Sequence, residues 1–361
     1  MLNYQLLILN PGSTSTKIAW YSDTQAVFLK NVSHDADELA KMETIPDQMG
    51  FRFETIIKAL KEENLPLEEL SVVISRGGLL KPIESGVYEV DDTMITDLIE
   101  SELQHASNLG AMIAKRIADE YCIKAYIADP VVVDEMEAVA RYSGHPEFAR
   151  KSVFHALNQK AIARQYARET GRKYDELNLI VAHMGGGISV GLHRRGKVVD
   201  VNQALDGEGA FSPERSGSLP VGDVIRACYS GKYTEKEMFS KVVGQGGLVA
   251  YCGINDVRIA LKRSEEGDED ARMALNAIVY QVSKEIGALA AANFGHIDAI
   301  LLTGGIAHNL SLMDKIRERV RFVAPVHVFP GEDEMRALMQ NGMMLLKGEV
   351  QSVKYGDAEK G

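Results

Sequence analysis

The chain of 361 residues is poor in cysteine, with only Cys122, Cys228 and Cys252. Their spacing matches no metal-ligand motif, and an odd count makes a poor disulfide framework. The expectation is three reduced packing residues in a cytoplasmic protein. No run of about 18 uninterrupted apolar residues occurs, which excludes a membrane-spanning helix. No basic stretch leads into an apolar run near the N-terminus, so no signal peptide is visible. Basic charge is not in excess either. The formal net charge of −11 argues against nucleic acid and acidic membranes as partners. It still leaves room for a local basic pocket that holds a small anion. Low-complexity segments are also lacking.

What is present is the composition of a soluble globular protein, 45% hydrophobic and 25% charged. A chain of this length exceeds one ordinary core and fits two domains. Comparing the chain with itself is the most informative step. "LLILNPGSTSTKIAWYSDTQAVF" near the start resembles "NLIVAHMGGGISVGLHRRGKVVD" in the middle. Each has a short apolar strand, a turn of Gly and small residues, a second alternating strand, a polar turn and a third strand candidate. A third relative, "DAILLTGGIAHNLSLMDKIRERV", enters a helix after its Gly turn, with Leu312, Ile316 and Val320 at helical spacing.

Helical patterns lie between these segments. In "DDTMITDLIESELQ", Met94, Ile95, Leu98 and Leu103 share a face, and Asp91 or Asp92 is the cap. Leu275, Ile278, Val282, Ile286 and Leu289 mark a long amphipathic helix. Strand candidates "LSVVISRGG" and "IKAYIADPVVVD" fall between helices, giving an α/β organisation. The turn-rich stretch "YSGHPEFARKSVFHALNQ" places a domain junction near residue 150, so the domains are 1–150 and 151–334. The polar tail "SVKYGDAEKG" is expected to fray. Two domains that each open with a strand–Gly turn–strand hairpin would turn those hairpins towards a common nucleotide cleft.

The first turn, "NPGSTSTK", mimics a phosphate-binding P-loop but departs from it. Thr16 replaces the second glycine, Ile18 replaces the magnesium-binding hydroxyl, and a strand follows where a helix should start. Asn10, Ser13, Ser15 and Lys17 nevertheless offer an amide, two hydroxyls and an ammonium, with the last three on one side of the strand. A plain polar hairpin is the competing reading. The second turn exposes Gly185, Gly186 and Gly187 as an anion nest after His183. A dinucleotide fingerprint would open a helix, whereas "ISVGLHRRGK" continues as a strand. A satisfied core histidine is the alternative for His183. The third turn sets Gly304 and Gly305 ahead of a helix, suited to a nucleoside or phosphate, or simply to a tight connection. Arg76 in "SRGGL" offers a planar fork for a carboxylate or phosphate, and Asp129 in "IADP" ends a strand. His105 and His155 adjoin helical patterns, and Asp333 and Glu334 begin one.

Taken together, these segments resemble the acetate kinase and butyrate kinase family of acyl-carboxylate kinases, whose superfamily includes sugar kinases, actin and the Hsp70 ATPase. The match begins at "ILNPGSTSTK" and runs in family order through "SRGG", "HASN", "IADP", "VFHALNQ", "AHMGGG", "GINDVR", "LLTGGIAHN" and "GEDEM". "HMGGG", where acetate kinases tend to read Gly-Asn-Gly, and the shorter chain resemble the butyrate kinase branch. The resemblance implies two ribonuclease-H-like domains, each a mixed sheet flanked by helices, with a C-terminal helix at about 335–356 returning to the first. It implies phosphorylation of butyrate, or of acetate, propionate or a branched short acid, by ATP with Mg²⁺ in a homodimer or larger assembly. Asn10, Asp129 and Asp333 or Glu334 would serve the metal. Arg76, His105 and Asn108 would meet the carboxylate, and Asp129, His155 and Arg76 would be catalytic. Ser13, Ser15, Lys17, His183, Gly185, Gly186, Gly187, Asp256, Val257, Arg258, Gly304, Gly305, Ile306 and Asn309 would bind the nucleotide. A second catalytic arginine of acetate kinases finds no match in register: "FSPERSGSLPVGD" has Arg215 nearby and Arg226 farther on. The rival from another class, a nucleotide-gated binding protein of the Hsp70 or actin kind, would need a further domain for which the length leaves little room.

Overall fold

The computed structural model describes residues 3–101 and 104–358; Leu103 lies outside them. The chain divides into two compact units, Met1–Val133 with Asp333–Gly361, and Asp134–Glu332. The division falls ahead of the turn-rich stretch at which the sequence places a junction.

In the first unit, β1 (Gln5–Pro11), β2 (Ser15–Ser22) and β3 (Gln25–Ser33) form the antiparallel meander that the alternation predicts. β4 (Val72–Arg76) pairs in parallel with β1, β6 (Lys124–Ala128) in parallel with β4, and β5 (Val87–Glu89) antiparallel with β6. Leu6 to Leu9 and Val72 to Ile74 are buried without a break, as strands covered on both faces must be. Leu7 and Leu9 pack with Phe53, Ile56 and Leu60 of the helix Met49–Glu62 and Leu109 and Ile113 of the helix Asn108–Glu120. The opposite face takes the helix Glu334–Leu346. There Gly342 sits so close to Leu6 and Ile74 that a Cβ would stand 2.9 and 2.8 Å from their side chains.

The second unit repeats the plan. β7 (Asn178–Met184), β8 (Ile188–Arg194) and β9 (Lys197–Val201) form a second meander. β10 (Ala299–Gly304) and β11 (Val326–Pro330) extend it in parallel from β7. The helix Glu269–Ala292 buries Leu275, Ile278, Val282, Ile286 and Leu289 against this sheet, and the helix Leu310–Val320 buries Leu312, Ile316 and Val320. Their caps are Asp268, which accepts from the Ala271 amide, and Asn309, which accepts from that of Leu312. In the first unit Asp91, rather than Asp92, caps the helix Asp92–Glu100 by accepting from Met94 N.

Two expectations need correction. The tail does not simply fray: Val353–Lys354 pairs with β5, and Tyr355 is fully buried with its hydroxyl donating to Asp97 at 2.8 Å. One aromatic among polar residues anchors it. The cysteines are free, but Cys122 and Cys228 are exposed and so do not serve as packing residues. No helix among the described residues is long and apolar enough to cross a membrane.

Candidate functional site

The first hairpin is shaped from behind. Gly12 N donates to Ser15 O at 2.7 Å, closing the turn. Asn10 and Lys17 stand opposite each other in the β1–β2 ladder. Strand alternation sends Thr16 and Ile18 inward, while Lys17 faces solvent and Ser15 is half-buried beside exposed Ser13. Thr16 Oγ1 meets His34 Nε2 at 2.8 Å in the interior. Arg52 also lies inside, and its guanidinium holds the turn's carbonyl groups.

Arg76 ends β4 and Asp129 follows β6, adjacent parallel strands in which Arg76 pairs with Ala128. Functional groups of α/β sheets collect at such carboxyl ends. The glycines after Arg76 exist for packing: a Cβ on Gly77 would strike Pro130, and one on Gly78 would strike Asn108. "SRGG", "IADP" and "HASN" are therefore one packed unit. Arg76 Nη1 lies 3.1 Å from Glu334 Oε1, and Asn10 Nδ2 donates to Glu334 Oε2 at 2.5 Å, so three candidates meet. Asp129 is 1% exposed and adopts φ 39°, a left-handed backbone held here by its surroundings. Its Oδ1 accepts from Ser85 Oγ at 2.6 Å and from Gly86 N at 3.0 Å. Asn108 is buried, and its Oδ1 accepts from Leu79 N, bracing the turn that follows Arg76. His105 is exposed, with Nδ1 2.8 Å from Ser107 Oγ. Asp333 is exposed and caps its helix by accepting from Arg336 N at 2.9 Å, apart from the Asn10–Glu334–Arg76 group.

In the second unit a cavity of about 800 Å³ brings together Gly185, Gly186, Asp256, Val257, Arg258, Gly305, Ile306 and Asn309. Its size suits a small organic ligand. Val257, Leu261 and Ile306 give it apolar wall, and the glycines give it open backbone. Asp256 accepts from Arg258 N at 2.8 Å and pairs with its guanidinium; these hydrogen bonds hold the carboxyl at about 2. Gly304 is not in the lining. With φ 92° it lies against the Met184 backbone, where a Cβ would collide, so it is a packing residue.

His183 lies beneath the glycine run, 1% exposed, with Nε2 3.2 Å from Glu332 Oε2 and Nδ1 without a hydrogen-bond partner among the described residues. Its ring stacks on His155 at 4.1 Å. Gly187 touches both His155 and Arg215: a Cβ there would be 3.3 Å from His155 Cε1 and would collide with the guanidinium. Arg215, left unassigned by the sequence, reaches this point because Ser212 Oγ donates to Gly186 O and ties "FSPERSG" to the glycine run. Burial lowers the Arg215 guanidinium from its ordinary value, with Glu214 and Asp206 opposing. Glu332 is a second residue that the sequence leaves unassigned. It lies in "GEDEM", yet only the fold turns it towards His183 and the cavity while Glu334 turns towards Arg76.

Comparison with known proteins adds a family. The model of the acetokinase family matches residues 137–330. Butyrate kinase 2 of Clostridium acetobutylicum is 52% identical over 98% of this chain and 100% of its own length. A probable butyrate kinase of Clostridium botulinum is 52% identical with the same coverage. Among solved structures, acetate kinase of Porphyromonas gingivalis aligns with a TM-score of 0.78 at 18% identity, covering 95% of this chain and 100% of that one. A propionate kinase of Francisella tularensis aligns at 0.75 and 19% identity, covering 94% and 98%.

Proposed function

Since this chain belongs to the acetokinase family and is thereby a carboxylate kinase, we propose that it transfers the γ-phosphoryl group of ATP to butyrate, reversibly giving butyryl phosphate and ADP. The 52% identity to butyrate kinase 2 over nearly the whole chain carries the reading. Acetate and propionate differ from butyrate by methylene groups and the branched acids by the placing of a methyl, and each methylene is worth about 1–3 kcal/mol of discrimination.

A carboxylate is already ionised at neutral pH and needs no base to attack phosphorus. Its difficulty is repulsion, because nucleophile and phosphoryl group are both negative. Arg76 pairs with the acyl carboxylate and holds it in line, taking it in place of Glu334. Lys17, with the hydroxyls of Ser13 and Ser15, meets the nucleotide phosphates. The Gly185–Gly187 backbone carries phosphate oxygens, and Asp256 to Arg258 with Gly305 to Asn309 hold the nucleoside. His155 and Arg215, which share Gly187, stabilise the charge that spreads over the transferring oxygens.

No group of three or more His, Cys, Asp or Glu among the described residues is arranged to hold a metal. Magnesium suits one or two carboxylates when phosphates and water complete its shell, and Glu334 fits that need. Asn10 fits beside it: its Nδ2 donates to Glu334, which leaves Oδ1 as an oxygen ligand. Of the candidate acids, Glu334 would hold the ion and Asp129 would orient water beside it, whereas Asp333 caps its helix. When bound with the nucleotide, the ion neutralises phosphate charge. The reading also carries a cytoplasmic homodimer or larger assembly. In its favour, the helices Val221–Cys228 and Glu235–Val242 bury no residue, and Val221, Ile225, Tyr229 and Phe239 are exposed.

Hydroxylamine trapping tests the function. Enzyme with MgATP and butyrate yields butyryl hydroxamate, and failure to form a hydroxamate from any short acid overturns the reading.

A further inference from the structure

A buried chain of hydrogen bonds leads away from His155 through groups to which the mechanism gives no task. Gln159, Ser189 and His193 are all fully buried. Gln159 Nε2 lies 3.1 Å from the Ser189 carbonyl oxygen and 2.8 Å from Ser189 Oγ. A carbonyl oxygen only accepts, so this end of Gln159 is its amide nitrogen, and the amide oxygen faces His193 Nε2 at 2.9 Å. That oxygen also only accepts, so His193 Nε2 carries a proton. Burial, with Lys160 and Arg164 adding positive charge, lowers His193 well below its ordinary value and keeps the ring neutral. Its Nδ1 then carries a lone pair, which accepts a hydrogen bond from the Tyr174 hydroxyl at 2.7 Å.

At the other end, Ser189 Oγ accepts from Gln159 and has one further partner among the described residues, His155 Nδ1 at 2.8 Å. The hydroxyl proton goes there. The backbone carbonyl fixes the order from Gln159 to Tyr174, and the buried hydroxyl, with Gln159 donating to its oxygen, has its proton left for His155. We propose that Tyr174, His193, Gln159 and Ser189 are positioning residues that hold His155 as a neutral imidazole with its proton on Nε2. The ring then meets a phosphoryl oxygen as a hydrogen-bond donor, neither a base nor a cation. Its surroundings agree. The Arg215 guanidinium shares Gly187 with His155, and the Glu332 carboxylate lies against His183, the stacked neighbour. β8 leaves space for the chain: a Cβ on Gly191 would stand 2.5 Å from Gln159 Oε1. A donor already oriented needs no rearrangement as charge develops on the transferring group.

The catalytic part rests on the phosphotransfer reading; the tautomer does not. The test uses the full chain labelled with ¹⁵N-histidine and long-range ¹⁵N–¹H correlation at pH 7, with His155→Gln to assign the ring. The expected pattern for His155 is the neutral Nε2–H form, with Nδ1–H signal emerging in Ser189→Ala and in Tyr174→Phe, which spares the buried packing. Ser189→Ala is expected to lower kcat by about 10–100-fold, as loss of an orienting partner does for metal-bound imidazoles, with both KM values within about twofold and Ser189→Thr restoring activity. An Nδ1–H or doubly protonated His155 in the unaltered protein overturns the proposal, as does Ser189→Ala with undiminished kcat. Absence of acyl phosphate in the unaltered protein overturns the reaction instead, and the spectrum alone then decides the tautomer.

Discussion

The buried guanidinium of Arg52 donates from Nη1 to the carbonyl oxygen of Gly12 at 2.7 Å. Its Nη2 donates to Ser13 O at 2.6 Å, and Gln48 Oε1 accepts from Nε and Nη2. Carbonyls drawn inward keep acceptor charge off the outer side of the hairpin, where an anionic phosphate would be repelled. Arg52→Met leaves these acceptors without a donor, each costing about 1–3 kcal/mol. The expected result is a loss of about 3 kcal/mol in urea unfolding and a raised KM for ATP, with the KM for butyrate little changed. A raised KM for butyrate alone would remove the hairpin from nucleotide binding.

Arg52 also bears on acid stability. Burial first, then the Arg52 charge, lowers His34 to about 4. The unfolded chain takes up a proton near pH 6.5, which the folded chain refuses until about pH 4. His34 therefore adds no penalty above pH 6.5 and an increasing one as pH falls from there towards 4. His34→Gln is expected to flatten the decline in unfolding free energy between pH 7 and pH 5, as measured by urea titration at each pH. An unchanged slope would mean that His34 charges within the fold.

Arg76 is expected to separate the two substrates. Arg76→Ala is expected to raise the KM for butyrate about 100-fold or more, since a charge-assisted hydrogen-bonded pair contributes about 1.5–3 kcal/mol per bond, and to change that for ATP far less. Arg76→Lys recovers part of the loss, because an ammonium cannot make the bidentate pair. Initial rates over both concentrations check this, and equal effects on the two KM values would count against a carboxylate role.

The two neighbouring acids make opposite predictions. Asp333→Asn keeps a good helix cap and is expected to retain nearly full activity. Glu334→Gln removes the charge that faces Arg76 and Asn10, and kcat is expected to fall about 100-fold with a higher magnesium requirement. A magnesium titration of both variants decides, and a larger defect in Asp333→Asn would reverse the assignment.

Much of the fold was legible because the two meanders have the same alternation, and because "LLIL" and "LIVA" must be central strands. The cavity was legible for a similar reason: glycine runs at strand ends are conspicuous. What stayed hidden depends on distant pairing. Nothing local in "FSPERSG" announces that Ser212 will tie Arg215 to Gly187. Asn108, which the resemblance places near the carboxylate, also braces Leu79, a tertiary contact that nothing local announces. In "GEDEM", adjacent side chains take up separate contacts, Glu332 with His183, Asp333 with its own helix and Glu334 with Arg76.

The helix Glu334–Leu346 belongs by contacts to the first unit but is synthesised after the whole of the second. Until it leaves the ribosome, Leu6 and Ile74 lack the cover that Gly342 brings against them. Asp134–Glu332, by contrast, is uninterrupted in sequence and can close its core earlier. During translation the half made first is thus completed last, and its bare sheet face is the natural target for chaperones while the remainder is still being made.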